Sequence, residues 1–403
     1  MEMRRILAMI AALLLCLAAV TAGAEVTAKN TEKDGKLKET VWLNEKGKPA
    51  PGPDGYATVK YTYKQQTVTE MYYDAAGKPF KVDGGYFGRA VTKDGKGHVT
   101  QIEYLDKDGK RTLNRLGYGM VTMSYYGFGE VRNIVYYGTG KQKVIVPSLG
   151  YASVYTEYSG KVMTARIYRD LKGDPVDCKD GYATVKQKLN KKRKSQVDSI
   201  RYDHANGKPA TGPDGWWRCV KDWDDNGRLL SVKYYDTKEK LTDRGAGYAY
   251  EKYAYEGDNI VKTTRYDVKD KVIADAAGVV TLVQEKRNDR VVKERFLDKD
   301  GKRMNNALGV GEILYSYDSK GAIEKVTYQD TEGKPCVCAD GYAGYRDTRD
   351  ADGATVKRTF LGTDGNPAET HDGYSEIRYE YDATKQLSST RYYDLNGTEV
   401  PGK

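Results

Sequence analysis

The sequence contains few of the side chains on which enzymes and metalloproteins usually depend. Histidine occurs three times in 403 residues, at His98, His204 and His371, and none has a cysteine or second histidine at metal-ligand spacing. Asp-rich turns at residues 106–109 and 298–301 resemble half of a calcium loop but lack its further acidic ligands. We therefore predict no catalytic residues, no metal and no cofactor. A hydrolase with paired carboxylates stays open as a third hypothesis, because the chain has 57 Asp and Glu.

Phenylalanine is also scarce, with 5 Phe against 35 Tyr, and only 39% of residues are apolar. The mean hydropathy is −0.73. A fully buried phenol must find a hydrogen-bond partner, whereas in a thin layer the ring can pack while the hydroxyl stays in water. The composition therefore favours a thin sheet over a thick core. Lys and Arg occur throughout the chain and give a net charge of +9, which favours solubilising turn charges over an anion-binding face.

Only one long apolar run is present, at residues 6–20, and it has the features of a targeting segment. Arg4 and Arg5 precede the run, and residues 22–24 (Ala-Gly-Ala) form a small-residue cleavage site. Leucines rather than a small residue precede Cys16, which favours simple cleavage over lipid attachment. We predict a signal peptide at 1–24, cleaved after Ala24, and a secreted or cell-surface chain at 25–403 with no membrane span.

Four cysteines remain after this segment: Cys178, Cys219, Cys336 and Cys338. Export would permit disulfides. However, Cys178 and Cys338 occupy the same repeat position five periods apart, roughly 50 Å at the usual spacing of strands. We therefore favour packing as small apolar side chains, and Cys178–Cys219 is the pairing to test first.

The sequence repeats itself with a period of about 32 residues. A leading series of positions recurs at steps of 30 to 34 residues, and a second series recurs at 32 in all but two steps. About eleven repeats therefore fill the chain after the leader. The leading series is Tyr56, Tyr86, Tyr118, Tyr151, Tyr182, Trp216, Tyr248, Val279, Val310, Tyr342 and Tyr374, and the second series is Tyr72, Tyr104, Tyr136, Tyr168, Tyr202, Tyr234, Tyr266, Phe296, Tyr328, Phe360 and Tyr392.

Each period contains two strand-like runs. In the first run, apolar residues lie three, five and seven residues after the leading position. These three apolar residues alternate with other residues, as in a half-buried strand. In the second run they lie five and two residues before the terminal aromatic, as at Val131 and Ile134 before Tyr136. The step of three interrupts strict alternation, so we predict a β-bulge in every copy.

Turn signatures separate the runs. In an Asp-x-x-Gly turn the carboxylate can bond the backbone, and glycine supplies the left-handed residue. A Gly-Lys-Pro run and a further glycine before the leading aromatic would then reverse the chain into the next copy. We predict that each Tyr-x-Asp-x-x-Gly marks a hairpin end, and no segment after the leader shows helical periodicity. Examples of the turn are residues 74–77, 224–227, 318–321 and 350–353.

In these motifs the sequence resembles a known class of repeat protein. The stretches WDDNGRLLSVKYYD and YDSKGAIEKVTYQD look like the tyrosine-aspartate (YD, Rhs-type) repeats of secreted bacterial and toxin-like proteins. The stretch YYDAAGKP is similar to the aromatic hairpin repeats of bacterial cell-wall and glucan-binding modules. The resemblance covers the whole mature chain. The period of 32 is longer than in the wall-binding modules, so their ligand pockets cannot be carried over residue by residue.

Together these patterns predict an all-β fold, an elongated antiparallel β-hairpin repeat array. A lone hairpin is marginal in water, so neighbouring hairpins must stack. Because each strand adds about 20 to 25° of twist, the array should coil into a twisted sheet or superhelix with Tyr and Val ladders on one face. Residues 267–296 have lost the first Asp-x-x-Gly and the leading Tyr, which we interpret as drift tolerated by shared stability, with a kink or a recognition site as the alternative.

The most specific candidate for ligand contact is the aromatic patch of Trp216, Trp217 and Trp223, for which ladder packing is the favoured alternative. The leading functional hypothesis is an exported, non-catalytic protein that binds carbohydrate or cell-wall polymer. The alternative is a structural spacer, adhesin or YD-type shell scaffold with no small ligand. Residues 191–194 (Lys-Lys-Arg-Lys) could indicate nucleic acid, but export and a turn position favour a solvated basic turn, so we predict no nucleic-acid partner.

Overall fold

The computed structural model describes residues 26–381 and 387–402, and all regular elements in this part of the chain are β-strands. The predicted signal peptide at residues 1–24 lies outside the described residues, so its cleavage after Ala24 stays a prediction. The strands are β1 Thr27–Lys33, β2 Lys36–Leu43, β3 Thr58–Lys64, β4 Thr67–Tyr73, β5 Gly88–Lys93, β6 Val99–Leu105, β7 Met120–Tyr125, β8 Val131–Tyr137, β9 Ser153–Ser159, β10 Val162–Arg169, β11 Thr184–Leu189, β12 Val197–Asp203, β13 Arg218–Trp223, β14 Leu229–Tyr235, β15 Tyr250–Glu256, β16 Ile260–Tyr266, β17 Thr281–Arg287, β18 Arg290–Leu297, β19 Glu312–Tyr317, β20 Ile323–Gln329, β21 Gly344–Arg349, β22 Thr355–Leu361, β23 Glu376–Tyr381, β24 Leu387–Tyr393 and β25 Glu399–Val400.

The chain divides into two compact units, residues 1–213 with β1–β12 and residues 214–403 with β13–β25. Within each unit, every strand pairs antiparallel with the strand before it and the strand after it in sequence. In the tight hairpin β3–β4 the pairing runs from Thr58 opposite Tyr73 to Lys64 opposite Thr67. Successive hairpins pair over a shorter length, as β2 and β3 do over three residue pairs. The predicted all-β array of antiparallel hairpins is confirmed.

The connection between successive hairpins contains two turns, as predicted. In the first turn of the connection after β4, the Asp74 carboxylate accepts hydrogen bonds from the backbone N–H groups of Ala76 (2.9 Å) and Lys78 (2.8 Å). Pro79 then bridges back to Tyr73. The second turn closes where the N–H of Gly85 donates to the carbonyl of Val82 (2.8 Å). Gly85 has φ +87°, a left-handed conformation that glycine adopts without strain.

The predicted β-bulge occurs in ten of the twelve tight hairpins among the described residues, and it is absent from β3–β4 and β15–β16. Its place is the one predicted. In β5–β6, for example, Thr100 is the extra residue between Val99 and Gln101. The prediction of a bulge in every copy was wrong, because β3–β4 and β15–β16 pair without a register shift from end to end.

Tyrosine hydroxyls also tie several hairpins to the hairpin before them. We call the side of a unit that carries the tight turns the turn edge; these turns share one side because consecutive strands run antiparallel. A tyrosine at the end of an odd-numbered strand donates to a carbonyl at the start of the previous even-numbered strand, 26 residues earlier. These bonds are Tyr125 to Val99 (2.6 Å), Tyr255 to Leu229 (2.8 Å), Tyr317 to Val291 (2.7 Å) and Tyr381 to Thr355 (2.8 Å).

Candidate functional site

Within each unit, most members of the two predicted series stack alternately on one face of the sheet, and we call these stacked residues the ladder. In the first unit the ladder runs from Trp42 through Tyr56 and Tyr72 to Tyr202, with neighbouring ring centroids 4.7–6.2 Å apart. In the second unit it comprises a segment from Trp216 to Tyr248 and another from Tyr328 to Tyr392. The residues that recur most regularly in the sequence are therefore the ones that hold successive hairpins together.

Burial in the ladder changes the chemistry of the phenols. Tyr104 and Tyr118 are 3% and 1% exposed. Desolvation raises the pKa of Tyr234 to about 12 and raises the pKa of Tyr104 further still. These hydroxyls stay neutral at physiological pH, and their rings offer little surface to a ligand.

The ladder has a defect at β16, where one predicted member is misplaced. Tyr266 pairs with Tyr250 and stacks on it at 4.6 Å, whereas Arg265 pairs with Glu251. Arg265 occupies the ladder position. Its carbonyl accepts a hydrogen bond from the N–H of Ile273, eight residues later, just as the carbonyl of the ladder residue Tyr72 accepts one from the N–H of Phe80. The assignment of Tyr266 to the second series was therefore wrong. It lies on the opposite face, since successive strand residues point to opposite sides.

The cause of this defect is a missing bulge in β15–β16 without a matching shortening of the hairpin. β3–β4 also lacks the bulge, but Tyr72 lies 16 residues after Tyr56, against 18 from Tyr248 to Tyr266, and so keeps its ladder position. A strand that lacks one extra residue shifts its register by one, and such a shift exchanges the two faces. In all the remaining copies, the member of the second series lies 14 or 15 residues before the next leading position. The distance to Val279 is 14 residues from Arg265 but only 13 from Tyr266. The nearly constant length of this connection, rather than the period of 32, is therefore the signal that predicts which residue takes the ladder position.

Farther along, Val279 and Val310 replace tyrosine and pack with Phe296 in a largely aliphatic cluster.

The predicted ligand patch is largely buried. Trp216 and Trp217 are each 6% exposed, and Trp223 is half-buried at the end of β13. Trp216 is a ladder member, 5.7 Å from Tyr234, and the guanidinium of Arg218 lies 5.1 Å from the ring of Trp217. The indole nitrogens of Trp217 and Trp223 are buried and have no hydrogen-bond partner in the described part of the chain. A ligand-binding role for these three residues stays a prediction.

An exposed aromatic cluster lies instead on the turn edge of the first unit, where the sequence analysis did not place a site. We call Tyr126, Phe128 and Tyr158 the edge cluster. The rings of Tyr126 and Phe128 stack at 5.3 Å with an angle of 8°, and Tyr158 meets Phe128 edge-on at 5.7 Å. Phe128 is 43% exposed. The signal that could have revealed the cluster is Tyr126, which takes the place of the turn aspartate found in other copies.

The remaining polar candidates are turn or surface residues. The carboxylates of Asp106 and Asp298 accept backbone N–H groups of their own turns, at 2.9 Å in each case. His98 bonds Asp94 (3.0 Å), and His204 bonds Asp177 (2.7 Å). No group of three His, Cys, Asp or Glu side chains suited to a metal ion occurs among the described residues.

The cysteines contribute to packing. Cys178, Cys219 and Cys338 are buried, and Cys336 is half-buried. Cys338 belongs to the cluster formed by Val310, Val326 and Tyr328. Burial raises the pKa of the Cys178 and Cys336 thiols, which keeps them protonated.

Two open clefts lie on the described surface. One cleft of about 320 Å³ lies between the turns of β19–β20 and β21–β22 and is lined by charged side chains that include Lys320, Arg346 and Asp347. The Asp347 carboxylate itself accepts hydrogen bonds from Nε and Nη2 of Arg358, at 2.8 and 3.0 Å. Another, of about 490 Å³, is open and lined by residues of β4–β6 and the following turn. Between residues 26 and 402, outside the undescribed 382–386, there is no helix that could cross a membrane.

No protein-family model matches the sequence, and no curated protein matches it. Among solved structures, the chain matches the TcdB2–TccC3 structure with a TM-score of 0.31 and 12% identity, over 91% of this chain and 22% of that chain. It matches a Tc holotoxin pore from Photorhabdus luminescens with a TM-score of 0.30 and 12% identity, over 91% of this chain and 21% of that one. It matches a porin-like protein from Bacteroides uniformis with a TM-score of 0.22 and 7% identity, over 83% of this chain and 93% of that one. The chain thus spans about a fifth of the Tc proteins it matches.

Proposed function

We propose that this protein is an exported structural scaffold of the YD-repeat type, in which tandem hairpins form an extended surface rather than a pocket for a small ligand. One observation carries the proposal: the aromatic residues that recur in every repeat are packed against each other in the ladder. Tyr118 and Tyr182, for example, are 1% and 2% exposed. Rings buried in this way stabilise the array and cannot stack on a sugar.

The contacts between repeats support a scaffold role. Within each unit, successive hairpins are joined by strand pairing, in most copies by ladder rings and in several by a tyrosine hydroxyl. In an array of this kind each repeat contacts only its neighbours, so stability is a sum of local terms and the length can change without loss of fold. The two open clefts, one lined mainly by charged side chains and the other by both polar and apolar ones, also fit this proposal better than binding of a small apolar ligand, which favours an enclosed and largely apolar pocket.

The experiment compares tryptophan variants of the purified protein on neutral polysaccharides and on peptidoglycan. Trp216→Ala removes a buried ring from the ladder. Trp223→Ala removes a half-buried ring that lies outside the ladder. The scaffold proposal expects both to lower the melting temperature, Trp216→Ala more strongly. No form should be retained on the neutral polysaccharides, and any retention on peptidoglycan, a polymer with carboxylates, should be the same for the parent and both variants. The scaffold proposal would be overturned if the parent protein is retained on a matrix and either variant is not, while that variant keeps the melting temperature of the parent. Such a result would favour carbohydrate binding at the tryptophans.

Export is tested separately. The mature protein recovered outside the producing cells should begin at Glu25, as determined by mass spectrometry, and removal of residues 1–24 should leave the chain in the cytoplasm. Recovery of an intact N terminus from the cytoplasm of cells expressing the full chain would contradict export while leaving the scaffold proposal standing.

A further inference from the structure

One tight turn on the turn edge of the first unit has exchanged turn-forming residues for aromatic ones. Its backbone is that of the other copies: Tyr126 N–H donates to the carbonyl of Glu130, and Gly129 N–H donates to the carbonyl of Tyr126, both at 2.9 Å. In the preceding copy the Asp94 side chain also accepts two backbone N–H groups, from Lys96 and His98. Tyrosine cannot make these bonds, so this turn has exchanged local turn-stabilising hydrogen bonds for aromatic contacts.

The edge cluster that results is a rigid, partly exposed aromatic surface. The Tyr126 hydroxyl donates to the carbonyl of Thr156 at 3.0 Å, which fixes the ring against β9. Phe128 lies parallel to it and remains 43% exposed. Arg132 lies 5.7 Å from the Tyr126 ring and is exposed. A fixed flat ring beside a cation suits a ligand that has both an apolar face and a negative charge.

A second tight turn on the same edge has been enlarged with basic residues. The repeat that contains it is the one lengthened to 34 residues, and residues 191–194 are all exposed. Asn190 caps the turn by accepting the N–H groups of Lys192 and Arg193 at 2.9 Å. Four adjacent positive charges in one exposed turn repel one another. Exposed Lys161 lies in the intervening turn, between β9 and β10.

The edge cluster and the basic turn are two repeats apart along one edge, about 20 Å at the spacing of antiparallel strands. Only the first unit has a net positive charge. Residues 25–213 contain 33 Lys and Arg against 21 Asp and Glu, whereas residues 214–403 contain 31 against 35. Lys and Arg do occur throughout the chain, but the acidic residues that balance them are concentrated in the second unit. An anionic partner would therefore be attracted to the first unit.

We propose that the turn edge of the first unit binds an acidic polysaccharide. The apolar face of a sugar ring stacks on Phe128 and Tyr126, and carboxylates along the polymer contact Arg132, Lys161 and the basic turn. A polymer is required, because the aromatic and basic groups are too far apart for one small molecule. This surface differs from the buried tryptophans and adds a binding function to the scaffold.

Binding assays with polygalacturonate test the proposal, and neutral dextran, polyphosphate and single-stranded DNA separate its components. Phe128→Ala should weaken polygalacturonate binding about fivefold through lost stacking and leave polyphosphate binding unchanged. Lys191→Gln combined with Lys194→Gln should weaken the binding of both anionic polymers and reduce its salt dependence. Phe128→Leu keeps an apolar side chain without a flat ring and should behave like Phe128→Ala.

The matched controls are Leu116→Ala, which removes an exposed apolar side chain (47%) from a connection of the same unit, and Lys299→Gln with Lys302→Gln in an exposed turn of the second unit. Neither should change binding, and circular dichroism should show every variant folded. The proposal is overturned if polygalacturonate does not bind, if Phe128→Ala and Phe128→Leu leave its affinity unchanged, or if single-stranded DNA or polyphosphate binds more tightly.

Discussion

At the scale of single residues, the hydroxyl bonds between hairpins can be tested by removing one oxygen atom. Tyr317→Phe keeps the ring and deletes the 2.7 Å bond to Val291, so it should lower the free energy of unfolding by about 1 kcal/mol. Ser316→Ala, the control, removes an exposed hydroxyl from the adjacent position of β19 and should change stability by less than about 0.5 kcal/mol. Equal effects in urea unfolding would show that the tyrosine bond contributes nothing specific.

The turn aspartates predict how stability depends on pH. Hydrogen bonds from backbone N–H groups hold the pKa of Asp224, Asp236, Asp267, Asp318 and Asp330 below the ordinary value. A carboxylate with a depressed folded-state pKa stabilises the protein above its unfolded pKa of about 3.9, and this stabilisation is lost as the pH falls through the folded-state pKa. The melting temperature should therefore fall steeply below about pH 4.

Replacing these five aspartates with asparagine tests the cause. Asparagine already makes the same turn bonds in this protein, as the Asn44 and Asn306 side chains do with Lys46 and Leu308. The five-fold variant should stay folded at neutral pH and lose less stability than the parent as the pH falls. If the two proteins lose stability in parallel, other carboxylates are responsible for acid sensitivity.

At the scale of strands, the ladder and the opposite face should respond differently to loss of an aromatic ring. Tyr328 is 5% exposed in the ladder, so Tyr328→Ala should lower the free energy of unfolding by about 3 kcal/mol. Tyr266 is half-buried on the opposite face, and Tyr266→Ala should cost less than half as much. Chemical denaturation of both variants is the measurement. A larger loss for Tyr266→Ala would contradict the assignment of Arg265 to the ladder position.

At the scale of the whole molecule, the repeat can be deleted as a unit. Removing residues 297–328 takes out β19 and β20 and joins Phe296 to Gln329, which preserves the 14-residue connection to Tyr342. The shortened protein should fold with a β-rich circular dichroism spectrum and a cooperative melt. Removing 297–312 takes out the connection between β18 and β19 instead, so these two strands can no longer pair in register and folding should fail. Equal damage by the two deletions would contradict the array.

The period, the turns and the bulge position could be read from the sequence because they depend on local chemistry. Asp74, Gly77 and Pro79 act through their own backbone geometry, so their pattern predicts the turn directly. The bulge position follows from alternation, since Val131 and Ile134 can face one side only if a residue between them is extra. These features involve few neighbours and need no knowledge of the packed fold.

The candidate sites were harder to predict, because exposure is decided by neighbouring hairpins. Trp216 and Phe128 are both large aromatics near turns, yet one is 6% and the other 43% exposed. The difference arises because Trp216 occupies a ladder position, whereas Phe128 extends from a turn. Residue type alone cannot distinguish these environments.

The sequence by itself determined that the chain is a series of two-stranded units, because the spacing of aromatics and turn residues allows no other regular structure. Only the tertiary structure decided which face each aromatic takes. Pairing register is a cooperative property of neighbouring strands, and a single missing bulge moved Tyr266 out of the ladder and brought Arg265 into it.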